Sequence, residues 1–296
     1  MIDTASGRTR EFYECHPLVN FLYFGFVIGI IMFTMHPVFL VPAFLAGWCY
    51  SIFLGRKKAL KFNLILSLMT VVLMTLVNGL FNHNGATTLF YVNDNAVTAE
   101  AFAYGLAAAC MLVSVMVWFS CFNRIMSAEK IIYLFGKAAP VLGLTLSMIF
   151  RFIPLLKLRY KEIHEGQMGM GRWNTKDPLK RMRQRGKEIS ILLSWSLESS
   201  IETSDSMEAR GYGLPGRTGF HLYHFQRRDI TALAVILVLS ALTIAGLALG
   251  CGKMNFYPEF IMAKFAPMTV VSAVSYGVLL LFPFIIDLQG ERKWRS

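Results

Sequence analysis

Cysteine, acidic residues and charge inside the apolar runs are all in short supply, and each shortage removes a class of function. The five cysteines (Cys15, Cys49, Cys110, Cys121, Cys251) are scattered, mostly within apolar runs, and form no C-x-x-C pair. That odd, dispersed set excludes a disulfide framework and a structural zinc site, and predicts small apolar packing residues instead. No G-x-x-x-x-G-K-[ST] stretch is present, so the chain is not expected to bind ATP through that phosphate loop. No Ser/His/Asp, Cys/His or metal-ligand constellation is visible either: His164 and Glu165 are adjacent rather than at ligand spacing. A non-catalytic protein without metal or cofactor is expected.

The predicted spans hold some polar residues, among them Asn20, Ser67, Thr70, Asn78 and Ser114, but no Asp, Glu, Lys or Arg. Carriers driven by ion gradients accept the cost of ionisable groups within their spans because the transport uses them. Their absence here argues against a self-powered carrier and against a channel lined by charge.

Apolar sequence is what the chain has in excess. Of its 296 residues 55% are hydrophobic, and the mean hydropathy is +0.50. Runs approaching the ~20 apolar residues that cross a bilayer core predict an all-α, polytopic membrane protein. Leu18 to Leu54 is too long for one crossing and is interrupted at His36-Pro37, where proline opposes helix continuation. Two spans are predicted there, 18–35 and 37–54, with His36 as a turn residue and His83 resembling it. Further spans are predicted near 62–81, 101–122, 230–251 and 266–286, about six in all. The stretch 138–156 is apolar but carries Arg151 and then Phe152-Ile153-Pro154, and is expected as a shallow or partly inserted helix. With no cleavable leader pattern in Met1 to Pro17, insertion is expected to use the spans themselves.

Formal net charge is +11, and its placement is informative. Arg56, Lys57, Lys58 and Lys61 cluster between the second and third spans. Residues 123–228 hold most of the other cations, and the C-terminal tail adds Arg292, Lys293 and Arg295. Asn82 to Glu100 has none, and Gly252 to Phe265 has only Lys253 and Lys264. Short loops rich in Lys and Arg stay cytoplasmic, so both termini and the basic middle segment are expected in the cytoplasm. The chain then divides into an N-terminal membrane region (1–122, four spans), a cytoplasmic or membrane-surface region (123–228) and a C-terminal membrane region (229–296, two spans).

Within the middle region, Asn174 to Pro178 reads as a break. Lys180, Arg181, Arg183, Arg185 and Lys187 then crowd into eight residues. Such a run suits anionic headgroups better than nucleic acid, for which it lacks interleaved aromatics. Ile189, Leu192, Leu193, Leu197 and Ile201 follow at helical spacing, with Ser194, Glu198, Glu202 and Asp205 elsewhere, which predicts an amphipathic helix. It should end at Gly211, in Met207-Glu208-Ala209-Arg210-Gly211-Tyr212-Gly213. Locally that is an ordinary helix terminus, with Arg210 placed at the negative end of the helix dipole. Functionally, small Ala209 and Gly211 beside one forked guanidinium suit insertion into a partner's groove and contact with a carboxylate.

With the preceding spans, Phe150-Arg151-Phe152-Ile153-Pro154 and the basic helices, that motif resembles the T component, the transmembrane coupling subunit of energy-coupling-factor ABC transporters. The resemblance covers most of the chain and implies a pair of cytoplasmic coupling helices, each ending in an Ala-Arg-Gly-type motif. The second is Ala209-Arg210-Gly211. The first falls at Gln167-Met168-Gly169-Met170-Gly171, where Gly169 replaces alanine and Met170 replaces arginine. Arg172 follows directly, so either Met170 or Arg172 stands at the first contact. The resemblance further implies two ABC ATPase subunits as partners, a membrane S component that holds the substrate, and uptake of a vitamin or a transition-metal ion. The alternatives are a self-contained secondary carrier and a membrane assembly factor with a basic cytoplasmic loop.

Overall fold

A computed structural model describes residues 11–82, 85, 87–92, 95–138, 140–173, 177–215, 223–252, 254–255, 261–262 and 267–295. In chain order the helices are α1 (Glu11–Glu14), α2 (Pro17–Phe33), α3 (Pro37–Phe81), α4 (Ala99–Ile125), α5 (Ala128–Ala138), α6 (Pro140–Gly169), α7 (Pro178–Ala209), α8 (Arg227–Ala248) and α9 (Pro267–Arg295). The fold is all-α, and among the described residues six helical stretches are long and apolar enough to cross a membrane. Two antiparallel hairpins, β1 (Thr88–Val92) with β2 (Asn95–Thr98) and β3 (Met254–Asn255) with β4 (Ile261–Met262), lie in the two cation-poor connections. His83, Lys253 and Lys264 lie outside the described residues.

The count agrees with the expected six, but its membership differs. Pro17–Phe33 has 17 residues, about 25 Å of helix against a core of ~30 Å. The sixth long span is Val141–Gly169, within the single 30-residue helix α6 where a shallow insertion ending near 156 was expected. Pro154 forgoes one intrahelical hydrogen bond but does not end the helix.

His-Pro opens both early helices. His16 and His36 are N-caps whose Nδ1 accepts from the backbone N–H of Leu18 (3.2 Å) and Val38 (3.3 Å), with proline at the first helical position. Proline there costs no hydrogen bond. Burial lowers the His36 pKa below its ordinary value, which favours the neutral ring that keeps a lone pair for this cap.

Helical turns continue through α3 from Pro37 to Phe81, yet its two halves run in opposite directions along α4. Gly47 lies beside Trp118 and Gly55 beside Arg124, whereas Gly79 lies beside Phe102 and Gly105 beside Thr75. The first pairing is parallel and the second antiparallel. A straight helix cannot satisfy both, so the chain reverses between Gly55 and Thr75 and α3 supplies two spans, Pro37–Gly55 and Ala59–Phe81.

The chain forms two compact units, residues 1–130 with 223–296, and residues 131–222. The core of the first gathers Tyr23, Phe24, Tyr50, Trp118, Ile236, Tyr276 and Leu279, each at most 1% exposed. Residues 11–16 are tied to it by polar contacts. The Phe12 N–H donates to Asp287 Oδ1 (2.9 Å), the His16 N–H to Asp229 Oδ1 (3.3 Å), and Lys130 Nζ to the carbonyls of Tyr13 and Ile125. Burial pushes the Lys130 ammonium down to about 8. Of the charged residues buried in this unit, Glu100, Lys130 and Asp229 lie in the first turns of α4, α5 and α8, whereas Asp287 lies inside α9, near the end of its apolar stretch. Sequence inspection of the span interiors passed over them.

Candidate functional site

In the unit 131–222, α6 and α7 form an antiparallel helical hairpin. Contacts descend in α6 as they ascend in α7: Gln167 with Gln184, His164 with Glu188, Arg159 and Phe152 with Trp195. The break between them falls partly on residues 174–176, outside the described residues. Beyond it Asp177 caps α7, its carboxylate accepting from Leu179 N at 3.1 Å, and Pro178 takes the first helical position.

The packing face of α7 is not its apolar stripe. Ile189, Leu193, Leu197 and Ile201 are 50–67% exposed. Gln184 and Glu188 are buried instead, with Leu192 and Trp195 partly covered along the same side. Glu188, whose side chain is wholly buried, accepts from Trp173 Nε1 (2.6 Å) and pairs with His164 Nδ1 (3.2 Å). Gln167 Oε1 accepts from Gln184 Nε2 (2.9 Å) and from Arg172 Nη1 (3.1 Å). A clasp of polar side chains thus closes the hairpin beside the first motif. Glu188→Ala removes both hydrogen bonds to a buried carboxylate, at about 1.5–3 kcal/mol for each. Limited trypsin digestion should cut at Arg172 at least about tenfold faster in that variant, one decade per 1.4 kcal/mol. An unchanged rate would remove Glu188 from the clasp.

The motifs end their helices with the same backbone turn. Gly171 (φ 70°) and Gly211 (φ 82°) take the left-handed conformation. Gly171 N donates to Met168 O (2.9 Å) and Arg172 N to Gln167 O (3.3 Å). Gly211 N donates to Glu208 O (2.9 Å) and Tyr212 N to Met207 O (3.0 Å). Both are the paired hydrogen bonds of a Schellman cap, for which glycine is suited because it lacks a Cβ. Residue for residue, Gly169-Met170-Gly171 overlays Ala209-Arg210-Gly211, and Met170 holds the position of Arg210. Met170 is 58% exposed. The Arg172 side chain turns back to Gln167. Arg210 is exposed, and among the described residues its guanidinium has no hydrogen-bond or ion-pair partner.

The hairpin does not bring the motifs together. From Gln184, beside the first motif, to Ala209 is about 38 Å of helix at 1.5 Å per residue. Because the helices are antiparallel, the two tips point in opposite directions. Gln184 and Glu188 are the structural residues that the sequence does not single out. Their signal was a buried polar stripe at four-residue spacing, hidden beside the more conspicuous leucines.

Helices of this length and polarity define an all-α, polytopic membrane protein that carries an arginine-tipped helical hairpin. Over 105 residues it is 30% identical to a Lactobacillus helveticus (strain DPC 4571) protein described as "Energy-coupling factor transporter transmembrane protein EcfT". The similarity covers 35% of this chain and 38% of that protein, so it spans well under half of the relative's length. No family model matches the chain.

Proposed function

We propose that this chain is the non-catalytic transmembrane coupling subunit of an energy-coupling-factor ABC importer. The observation that carries this reading is the pair of equivalent Schellman-capped tips on one hairpin, one of them bearing an unpartnered arginine. Two like tips about 38 Å apart, facing opposite ways, suit contact with two like soluble subunits. These are two ABC ATPases, engaged through Ala209, Arg210 and Gly211 at one tip and through Gly169, Met170 and Gly171 at the other. Arg172 supports the first tip through Gln167 rather than reaching outward. Residues 123–228 act as the coupling region between membrane regions 1–122 and 229–296, with the tips and both termini in the cytoplasm of a bacterial or archaeal cell.

The span Ala59–Phe81 has only 6% of its apolar window covered by protein, against 39% for Pro37–Gly55. It and the uncovered Ile189–Ile201 stripe leave apolar surface for the bilayer and for a membrane S component that holds the vitamin or metal-ion substrate. The partnership is checked by tagging this chain, co-expressing it with ABC ATPase subunits encoded beside it, and purifying in mild detergent. Stoichiometric retention of two ATPase subunits is expected. Uptake by liposomes containing this chain alone would overturn the proposal in favour of a secondary carrier.

A further inference from the structure

Past the Phe152–Trp195 stack the hairpin helices line a cleft of about 900 Å³. Its walls differ in chemistry. The α6 side presents apolar residues such as Met148 and Phe152, and the α7 side presents hydroxyls, among them Ser199 and Thr203. Arg151, Arg210 and Glu202 line it as well. Thr203 Oγ1 donates to the Ser199 carbonyl at 2.7 Å, which satisfies its hydrogen within the helix and leaves its oxygen free to accept.

The position of the cleft along α6 fixes the kind of ligand. From Pro140 to Phe150 the helix carries no charge, and Arg151, Lys157, Arg159 and Lys161 follow. Arg151 is therefore the first cation that this apolar helix carries, and a long basic side chain within a span extends its head toward the headgroup layer. A ligand there must be amphipathic, to match one apolar and one polar wall. Two guanidinium groups against one carboxylate leave the site at net +1, which one phosphodiester neutralises. Guanidinium binds phosphate oxygens in a directional, two-pronged way, while Glu202 and the serine and threonine oxygens accept from hydroxyls.

We infer that this cleft holds the headgroup of a monoanionic, hydroxyl-bearing phospholipid, with its acyl chains against the apolar face of α6. The site goes beyond the coupling role; it shares Arg210 with the tip, and its test variants leave that residue in place. Binding is measured on the full chain, purified in neutral detergent, by native mass spectrometry with dihexanoyl-phosphatidylglycerol, dihexanoyl-phosphatidylcholine and inorganic phosphate as probes. One phosphatidylglycerol should be retained, at least about fivefold more tightly than phosphatidylcholine, and millimolar phosphate should not displace it.

Arg151→Gln and Thr203→Leu should each weaken retention about tenfold, the loss of one charge-assisted contact or of the polar wall. Both are surface changes within a helix, so a variant that failed to stay monodisperse would leave the other to decide. Equal retention by wild type and a folded variant would overturn the site, as would equal binding of phosphatidylcholine. Displacement by inorganic phosphate would assign the arginines to free phosphate instead. The variants keep Arg210 and lipid retention is read without ATPase subunits, so failure here is distinguishable from failure of the coupling role.

Discussion

Arg210→Glu is expected to abolish substrate uptake by the assembled transporter while leaving the membrane subunit folded. Arg210 is exposed at a helix cap and has no ion pair among the described residues, so replacing it is expected to leave the fold in place. At an interface its guanidinium would lie against a carboxylate, and breaking such a desolvated pair costs about 2–5 kcal/mol. That corresponds to roughly 30-fold to more than 1,000-fold in complex stability, and glutamate adds like-charge repulsion. ATPase retention on the tagged subunit and ATP-driven uptake in proteoliposomes should fall together, with Arg210→Lys intermediate because it lacks the fork. The reciprocal change, Met170→Arg, places a guanidinium on the matching cap and should tighten ATPase retention. Undiminished uptake by Arg210→Glu would sink the role assigned to this residue.

Trp118→Ala should cause the largest loss of stability in the membrane unit. Trp118 is fully buried, its Nε1 donates to the Ala43 carbonyl at 3.0 Å, and its ring lies 6.1–6.2 Å from those of Tyr23, Phe24 and Tyr50. It joins α2, the first half of α3, and α4. In a soluble core such a truncation costs about 3–5 kcal/mol. In a bilayer the transfer part shrinks because lipid is itself apolar, but the lost dispersion contacts around the cavity remain. A loss of about 3 kcal/mol is expected in reversible detergent unfolding. Trp118→Phe should lose only about 1 kcal/mol, the net worth of one hydrogen bond. A change in Trp118→Ala below that smaller value would mean the aromatic cluster does not anchor these helices.

Much of the fold was legible because bilayer physics writes itself into composition. The break at His36-Pro37 was predictable from proline and appears as a capped helix start. The cluster Arg56 to Lys58 marked the stretch near which the chain turns back, although its helical turns were not foreseen. In α6 the expectation that the basic run after Pro154 continues as helix agrees with one helix of 30 residues, because neither a single cation nor a single missing hydrogen bond is enough to stop it. In α7, the spacing of Ile189, Leu193, Leu197 and Ile201 correctly predicted a helix, while the side that packs on α6 is another one. Amphipathic periodicity reports that an apolar side exists, and cannot say whether the same chain or something else covers it.

The Ala209-Arg210-Gly211 tip was readable from sequence because a left-handed cap has a residue signature, glycine after the last helical turn. By itself the sequence determined an all-α polytopic membrane protein and the place of that cap. Only the tertiary structure decided that Met170 occupies the equivalent cap position while Arg172 turns back to Gln167. It alone placed Glu188 in a buried clasp and set the two tips at opposite ends of the hairpin. Those outcomes depend on which face of α6 meets which face of α7. That choice is made by hydrogen bonds between residues far apart in the chain, and local periodicity carries no record of it.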